Sequence, residues 1–310
     1  MLETHPNLSP KFSIVVPTYN RPDSLRRCLQ SLAQLDYPRD AFEVVVVDDG
    51  SRQPLDDVVA DFNQEIAVQL IRQANAGPAS ARNAGAFAAR GTYLAFTDDD
   101  CQPASDWLIA LDAAVAKTPQ ALIGGHTINA LPSNLYSTAS QLLIDYIYEY
   151  FNQTKGEATF FASNNFAAPN DLFCELGGFD QQFPLAAGED REFCDRWLFS
   201  QHPLVYAPAM RIDHAHSLTL KSFWRQHFNY GRGAFYFHQV RSRRQAQPMA
   251  VEPITFYLEL LAYPLRRQQG ERSLALSGLF LLSQVANVAG FFWERSRPQR
   301  PIPPASVPSV

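Results

Sequence analysis

The 310 residues are 46% hydrophobic and 18% charged, with 15 Gly and 22 Pro. This describes a globular chain of one large or two moderate domains and excludes collagen-like and low-complexity organisation. The four cysteines, Cys28, Cys101, Cys174 and Cys194, form no C-x-x-C pair and have no histidine at zinc spacing, so neither a zinc ribbon nor a disulfide scaffold is indicated. The net charge of −5 divides unevenly: residues 1–200 carry 13 Lys and Arg against 26 Asp and Glu, and residues 201–310 carry 13 against 5.

The chain opens on the polar MLETHPNLSPKF, without an apolar signal core, which predicts a body that stays in the cytosol. Phe12–Val16 then reads as a buried strand. A helix is expected from about Asp23 to Leu35, with Leu25, Leu29 and Leu32 at helical spacing and Pro22 at its start, where a missing N–H costs nothing. Glu43–Val47 is a second strand, rich in β-branched residues. There follow a helix near Leu55–Asn63, a strand over Ala67–Ile71, a helix near Ala79–Arg90, a strand over Thr92–Phe96, a helix from Trp107 to Val115 and a fifth strand over Ala121–Gly125. Continuous apolar strands alternating with amphipathic helices predict an α/β fold with a mostly parallel sheet covered on both faces. In such sheets ligands bind beyond the carboxyl ends of the strands.

The polar clusters fall at those ends. The first strand leads to Pro17, Thr18, Tyr19 and Asn20, and the second to Asp48, Asp49, Gly50 and Ser51. The third leads to Asn75, Ala76 and Gly77, and the fourth to Asp98, Asp99 and Asp100. Each alone passes for a turn; four together point to a shared site on one rim. Three adjacent carboxylates repel one another and need a compensating cation or full hydration. A hard divalent ion such as Mg²⁺ or Mn²⁺ suits them, because it takes few protein carboxylates and completes its shell with water and substrate phosphates. The chain has neither G-x-x-x-x-G-K-[ST] nor G-x-G-x-x-G, so a phosphorylated ligand would be held by metal and arginine rather than by a glycine cradle.

VVPTYNR (Val15–Arg21), VVVDDGS (Val45–Ser51), NAGPASARNAG (Asn75–Gly85) and AFTDDDC (Ala95–Cys101) resemble, in order and spacing, the family 2 glycosyltransferases with the GT-A fold. The resemblance continues through GGFD (Gly177–Asp180), GEDREFCDRW (Gly188–Trp197) and the HAH of His214–His216, covering roughly residues 12–235. It implies a catalytic domain over residues 1–240, with a nucleotide half at about 12–125 and an acceptor half at about 126–240. A helical, membrane-associating or buried extension over 241–297 and a disordered Pro-rich tail over 298–310 would follow.

The resemblance also implies roles. Pro17, Thr18 and Tyr19 would line the base and ribose. Asp49 would contact the base, Asp48 being structural, and Arg82 would contact the nucleotide, its guanidinium suiting planar or phosphate recognition. The DxD motif maps to Asp98 and Asp100, the latter binding the metal and the former the ribose or the metal's waters; the acidic middle residue Asp99 leaves that assignment ambiguous by one position. A histidine would complete the metal shell, and both His214 and His216 fit, with His214 favoured. Asp190 matches the general base that deprotonates the acceptor hydroxyl in an inverting single displacement. Its place near a helix N-terminus favours the ionised form. Glu189, Arg196 and Trp197 are acceptor-side candidates. Phe193 stands where processive synthases have the Gln of Q-x-x-R-W, which argues against processive polymer synthesis. The implied function is metal-dependent transfer of a sugar from a nucleotide-sugar donor to a carbohydrate, lipid-linked or other hydroxyl acceptor, with Mn²⁺ or Mg²⁺ as cofactor. The alternatives are a nucleotide-sugar binding protein without catalysis and a nucleotidyltransferase, whose Gly-rich opening loop is missing after Val16.

In the basic C-terminal third, residues 217–244 interleave aromatic and basic side chains, and Gly231, Arg232 and Gly233 read either as a mobile loop near donor phosphates or as part of an ordinary helix. No RNP-like or zinc-finger pattern supports nucleic-acid binding. Leu274–Trp293 carries no formal charge and is long enough to span a bilayer, yet Ser273, Ser277, Gln284 and Asn287 share a helical stripe and Arg266, Arg267, Arg272, Arg295 and Arg297 flank it. Three readings stand: a spanning helix, an interfacial helix among anionic headgroups at the cytoplasmic face of a membrane, and a helix buried on the catalytic body. Arginines at both ends give no orientation.

Overall fold

Strand β1 (Phe12–Thr18) is buried at all seven positions, as is β2 (Phe42–Asp48). In the computed structural model, which describes residues 9–153, 158–183, 187–245, 252–267 and 270–297, the two lie side by side and parallel, Phe12 opposite Phe42 and Thr18 opposite Asp48. The Pro-rich segment from Pro298, expected to be disordered, lies outside the described residues. Both strands outrun their apolar stretches, because the hydrogen-bond ladder and not hydrophobicity ends a strand. The first polar residue of each cluster is therefore itself in the sheet. Helix α1 (Pro22–Leu32) stops earlier than its leucine spacing suggested. Then come α2 (Asp56–Ala60), β3 (Val68–Arg72), α3 (Pro78–Ala88) and β4 (Tyr93–Thr97), with β3 parallel to β2 and β4 parallel to β1.

Beyond β4 the chain forms β5 (Cys101–Pro103), α4 (Trp107–Lys117), β6 (Leu122–Asn129), α5 (Leu135–Tyr148) ending in a π-turn over Glu149–Gln153, β7 (Asn165–Pro169) and α6 (Asn170–Glu175). It continues with α7 (Glu189–Phe199), β8 (Leu204–His214), α8 (Leu220–Gln245), α9 (Ile254–Arg267) and α10 (Glu271–Arg295). One eight-stranded sheet runs in the order β3-β2-β1-β4-β7-β6-β8-β5, and β7 is antiparallel to both β4 and β6. The chain adopts the expected α/β class with helices flanking the sheet and C-terminal helices following; the sheet is mixed, parallel over β3-β2-β1-β4 and antiparallel on both sides of β7.

Two compact units share these elements. The first takes the residues up to His126 together with Ala162–Phe179 and His202–Asp213. Alternate residues of β1 and β2 serve its two faces. Phe12, Ile14, Val16, Val44 and Val46 pack with Leu25, Leu29 and Leu32 of α1, while Val45 and Val47 meet Ala81 of α3. Each fully buried leucine of α1 contributes about 2 kcal/mol of transfer free energy. Phe96, Phe166, Phe173 and Phe179 form an aromatic cluster with ring centroids 5.2–5.7 Å apart. The GGFD segment supplies Phe179, and Asn83 clamps that residue, accepting from Phe179 N and donating to Phe179 O at 2.8 Å each.

The second unit holds Thr127–Phe161, Asp180–Gln201 and the chain from His214 onward. Helices α5, α9 and α10 share a core in which Leu143, Tyr146, Leu260, Tyr263, Leu276 and Phe280 are buried. The mobile-loop reading of Gly231–Gly233 is corrected here: all three residues lie inside the unbroken helix α8. The glycines serve close approach and not backbone freedom. A Cβ on Gly231 would come within 1.9 Å of the Asn287 carbonyl of α10, and one on Gly290 of α10 within 1.9 Å of the Phe228 carbonyl of α8. Between them Arg232 donates from Nε to Glu294 (2.5 Å), and the Tyr236 hydroxyl donates to the other oxygen of that carboxylate (2.9 Å). Backbone cannot yield as a side-chain tip can, so Gly290→Ala is expected to cost at least about 2 kcal/mol. A urea titration of the variant checks this through its lowered midpoint.

Candidate active site

The four polar clusters at the carboxyl ends of β1–β4 are tied together within the first unit. Asp49 N donates to the Thr18 carbonyl (2.9 Å), and Asn20 N donates to Ser51 Oγ (2.8 Å), joining the first and second clusters. Arg52 N returns a bond to Asn20 Oδ1 (2.9 Å), with Asn20 in the left-handed region at φ 55° that asparagine tolerates. Thr18 Oγ1 donates to Asp99 Oδ2 (2.7 Å), joining the first to the fourth. Asn75 Nδ2 donates to the Asp49 carbonyl (2.9 Å), joining the third to the second.

The three aspartates after β4 differ in their surroundings. Asp99 turns inward and is buried; loss of hydration, with Asp100 and Asp98 adding repulsion, pushes its carboxyl up to about 6 against the opposing pull of Arg21 and Thr18. Asp98 and Asp100 remain partly open, with side chains 28% and 13% exposed. Two guanidiniums offset part of the charge of the three. Arg21 Nη1 donates to Asp99 (3.1 Å) and Asp100 (2.9 Å), and Arg82 Nη2 donates to Asp98 Oδ1 (2.7 Å). Arg82 is itself buried on α3, its guanidinium carbon 5.9 Å from the centre of the Phe179 ring. Arg21 was given no role from the sequence, although it closes VVPTYNR at the same rim and was the nearest cation in the chain to the first cluster. Carboxylate oxygens held by side-chain cations are a hard donor set of the kind that suits Mg²⁺ or Mn²⁺. His214 closes β8, the strand next to β5 in the sheet, and Ala104 N just past β5 donates to the Arg211 carbonyl (3.0 Å). The rings of His214 and His216 lie 5.1 Å apart.

Asp49 is buried and shapes a loop. Its Oδ1 accepts from Gln73 Nε2 (2.7 Å) and Ala76 N (2.9 Å), and its Oδ2 from Gly77 N (2.8 Å) and Asn75 Nδ2 (3.2 Å). Asp48, fully buried, accepts from Ser51 N (2.8 Å) and lies 3.6 Å from Arg72 Nε. Pro17 is buried in β1 opposite Val47, whereas the Tyr19 ring is 45% exposed at the rim.

In the second unit, Gly188 at φ 95° opens α7, with Glu189 and Asp190 in its first turn. Glu189 is buried, Asp190 is half-buried, and Asp190 Oδ1 accepts from Arg191 N (2.8 Å). Farther along, Glu192 pairs with Arg196 (2.7 Å) and Arg244, and Asp195 with Arg244 (2.9 Å) and Arg241 (3.1 Å), so α7 is bound to the basic end of α8 by ion pairs. Trp197 is fully buried against Phe193, ring centroids 5.7 Å apart, and Arg196 lies over the Phe193 ring. This pairing of α7 with α8 went unread in the sequence, where the basic residues of α8 appeared only as surface charge.

Because four donors converge on one buried carboxylate, Asp49→Ala is expected to cost about 2–4 kcal/mol by stranding them. Amide hydrogen exchange at Ala76 and Gly77 is expected to accelerate beyond the change in global stability; protection equal to the parent's would contradict the loop-shaping role.

The model of glycosyl transferase family 2 matches residues 13–177, more than half of the chain. The glycosyltransferase AglE of Haloferax volcanii is 27% identical over 203 residues, covering 64% of this chain and 64% of that protein. The validoxylamine A glucosyltransferase of Streptomyces hygroscopicus subsp. jinggangensis is 30% identical over 211 residues, 59% of this chain and 50% of its own. The chain thus spans between half and about two thirds of these relatives. Among solved structures, the mannosyltransferase PcManGT from Pyrobaculum calidifontis, in complex with GDP-Man and Mn²⁺, superposes with a TM-score of 0.63 over 93% of this chain and 89% of its own at 19% identity, a likeness of fold. By its matched motifs, its sheet and these relatives, the chain belongs to glycosyl transferase family 2 and has the GT-A fold.

Proposed function

We propose that the chain moves a sugar from a nucleoside-diphosphate donor to an acceptor hydroxyl by a single displacement that inverts the anomeric carbon. The observation that carries this reading is the rim itself, where Thr18, Arg21 and Arg82 hold Asp98, Asp99 and Asp100 in one partly compensated, net acidic array at the ends of parallel strands. Pro17, Thr18 and Tyr19 line the base and ribose, with Tyr19 offering its exposed ring to a planar partner. Asp49 serves the base pocket by holding Ala76 and Gly77 in place. Arg82 faces the diphosphate and offsets the negative charge that grows on it.

Asp98, Asp100 and His214 are the residues that would hold a Mn²⁺ or Mg²⁺ ion; the hard carboxylate oxygens support that assignment, as does the Mn²⁺ bound by PcManGT. Such an ion supplies Lewis-acid stabilisation of the departing diphosphate. Asp190, on the second unit, takes the proton of the acceptor hydroxyl: the acceptor O–H bond breaks as its oxygen bonds to the anomeric carbon, and the electron pair of the old C–O bond leaves with the nucleoside diphosphate. Glu189, Arg196 and Trp197 belong to the acceptor side, Arg196 and Trp197 as the ion-paired and packed frame of α7 beneath Asp190. The donor half of this reading, about residues 12–125, lies wholly in the first unit, whereas Asp190 and His214 belong to the second.

Release of UDP, GDP or dTDP from a donor panel with Mn²⁺ tests the activity directly. Asp190→Asn is expected to lower turnover about 10³-fold while calorimetric nucleotide affinity stays unchanged; normal turnover in that variant overturns the base assignment. Asp100→Ala is expected to lose the gain in nucleotide affinity that Mn²⁺ gives the parent chain. An unchanged Mn²⁺ response would remove Asp100 from the cation site.

A further inference from the structure

Helix α10 is apolar on its outward side as well as on its buried one, unlike a water-soluble surface helix. Its buried residues are Leu276, Leu279, Phe280, Ala286 and Gly290 together with Ser273, Ser283 and Glu294, and Ser277, Gln284 and Asn287 are half-covered, so the polar stripe noted in the sequence turns inward beside part of the apolar surface. Its outward residues are Leu274, Leu281, Val285, Val288 and Phe292, spaced seven, four, three and four apart and therefore on one line of the helix. Helix α9 behaves alike: Phe256, Leu260 and Tyr263 enter the shared core, while Ile254 and Leu258, one turn apart, stand outside. These seven outward side chains are 50–70% exposed. Scattered exposed apolar residues need no explanation, but an uncharged apolar line five residues long, left outside on a helix that already buries Leu276 and Phe280, does.

We propose that this face of α9 and α10 docks on a membrane surface containing anionic lipid, with the helices lying in the interface rather than crossing it. Charge complementarity selects that occupant. Arg266 lies in the last turn of α9, Arg272 follows Glu271 in the first turn of α10 and Arg295 ends that helix; all three arginines are exposed, while no formal charge interrupts Leu274–Trp293. Arginines at both ends of an apolar line match headgroup phosphates on either side of a shallowly buried helix. The exposed Trp293 adds a side chain suited to the headgroup level. Crossing is disfavoured by the way α10 is mounted. Gly231 and Gly290 bring α8 and α10 into backbone contact, and Glu294 is bound to Arg232 and Tyr236. Helix α10 could enter the hydrocarbon only with α8 attached, carrying Lys221, Arg225, Arg241 and Arg243 at a cost of several kcal/mol.

Flotation of the full chain with vesicles tests this without donor or acceptor, so the result is independent of the proposed catalysis. Phosphatidylcholine vesicles containing about a third phosphatidylglycerol are expected to carry the chain, and pure phosphatidylcholine to carry far less. The combined variant Leu281→Gln, Val285→Gln and Val288→Gln, all at exposed positions, is expected to lose at least about tenfold in partitioning with an unchanged denaturation midpoint. Arg266→Gln with Arg295→Gln is expected to lose about fivefold per arginine on the anionic vesicles only. No flotation of the parent chain, or flotation indifferent to the apolar substitutions, overturns the proposal. So does a vesicle-free, concentration-dependent dimer that the apolar variant abolishes, which would make this face an interface between copies of the chain.

Discussion

Three consecutive carboxylates at the end of a buried strand set the terms for the whole rim. At separations of a few ångströms their mutual repulsion amounts to kilocalories per mole even with substantial screening, and the aromatic floor formed by Phe96, Phe166 and Phe179 offers none. The chain answers in two ways. Asp99 is withdrawn from solvent, where the neutral form is favoured, and two guanidiniums are brought to the set from different elements, Arg21 from the turn between β1 and α1 and Arg82 from α3. Burying Arg82 would itself be costly without an anion, so each side of that pair requires the other. This mutual need fixes how α3 lies on the sheet, and Asn83, next to Arg82, completes the fixation by clamping Phe179.

The two acidic clusters of the rim, similar as strings of letters, differ physically in what they accept. Asp49 receives two backbone amides and two side-chain amides, neutral donors that saturate its oxygens and hold one loop conformation. Asp98 receives the buried Arg82 and Asp100 the exposed Arg21, and both carboxylates stay partly open. A carboxylate saturated by backbone amides is a piece of scaffold, whereas one that keeps an oxygen open to solvent has charge available for a ligand. That contrast is why the proposed cation site is assigned to the fourth strand end and the loop-shaping role to the second.

Much of this was legible in the sequence, for reasons that also mark its limits. Strands buried on both faces announce themselves as continuous apolar runs, as β1 and β2 do, and with the shorter apolar stretches of β3 and β4 the rim they share could be read directly. The reversal at β7 could not, because the apolar NFAAP carries no mark of strand direction. The three-residue β5 is too short for any period to register. Arg21 was overlooked because its partners lie about eighty positions away, and only the parallel pairing of β1 with β4 brings them close. The glycines of α8 suggested looseness, since glycine frees the backbone in isolation. Their use is instead to let Asn287 and Ala187 approach, and a close helix crossing leaves no local signal in one strand of letters.

The same distinction between what a residue is and what covers it governs α10. Composition alone left a charge-free run compatible with a core helix, a spanning helix and an interfacial one. A core helix would bury its apolar residues all round; this one buries Leu276, Phe280 and Ser283 fully while Val285 and Phe292 stand half in solvent. Exposed apolar area of this kind lowers the free energy of any state in which water leaves it, and the fold has already used the polar side of the helix for its own contacts with α8. The stability of the second unit and its preference for a low-dielectric neighbour therefore come from one arrangement: the packing that fixes α10 on α8 is what turns its apolar side outward.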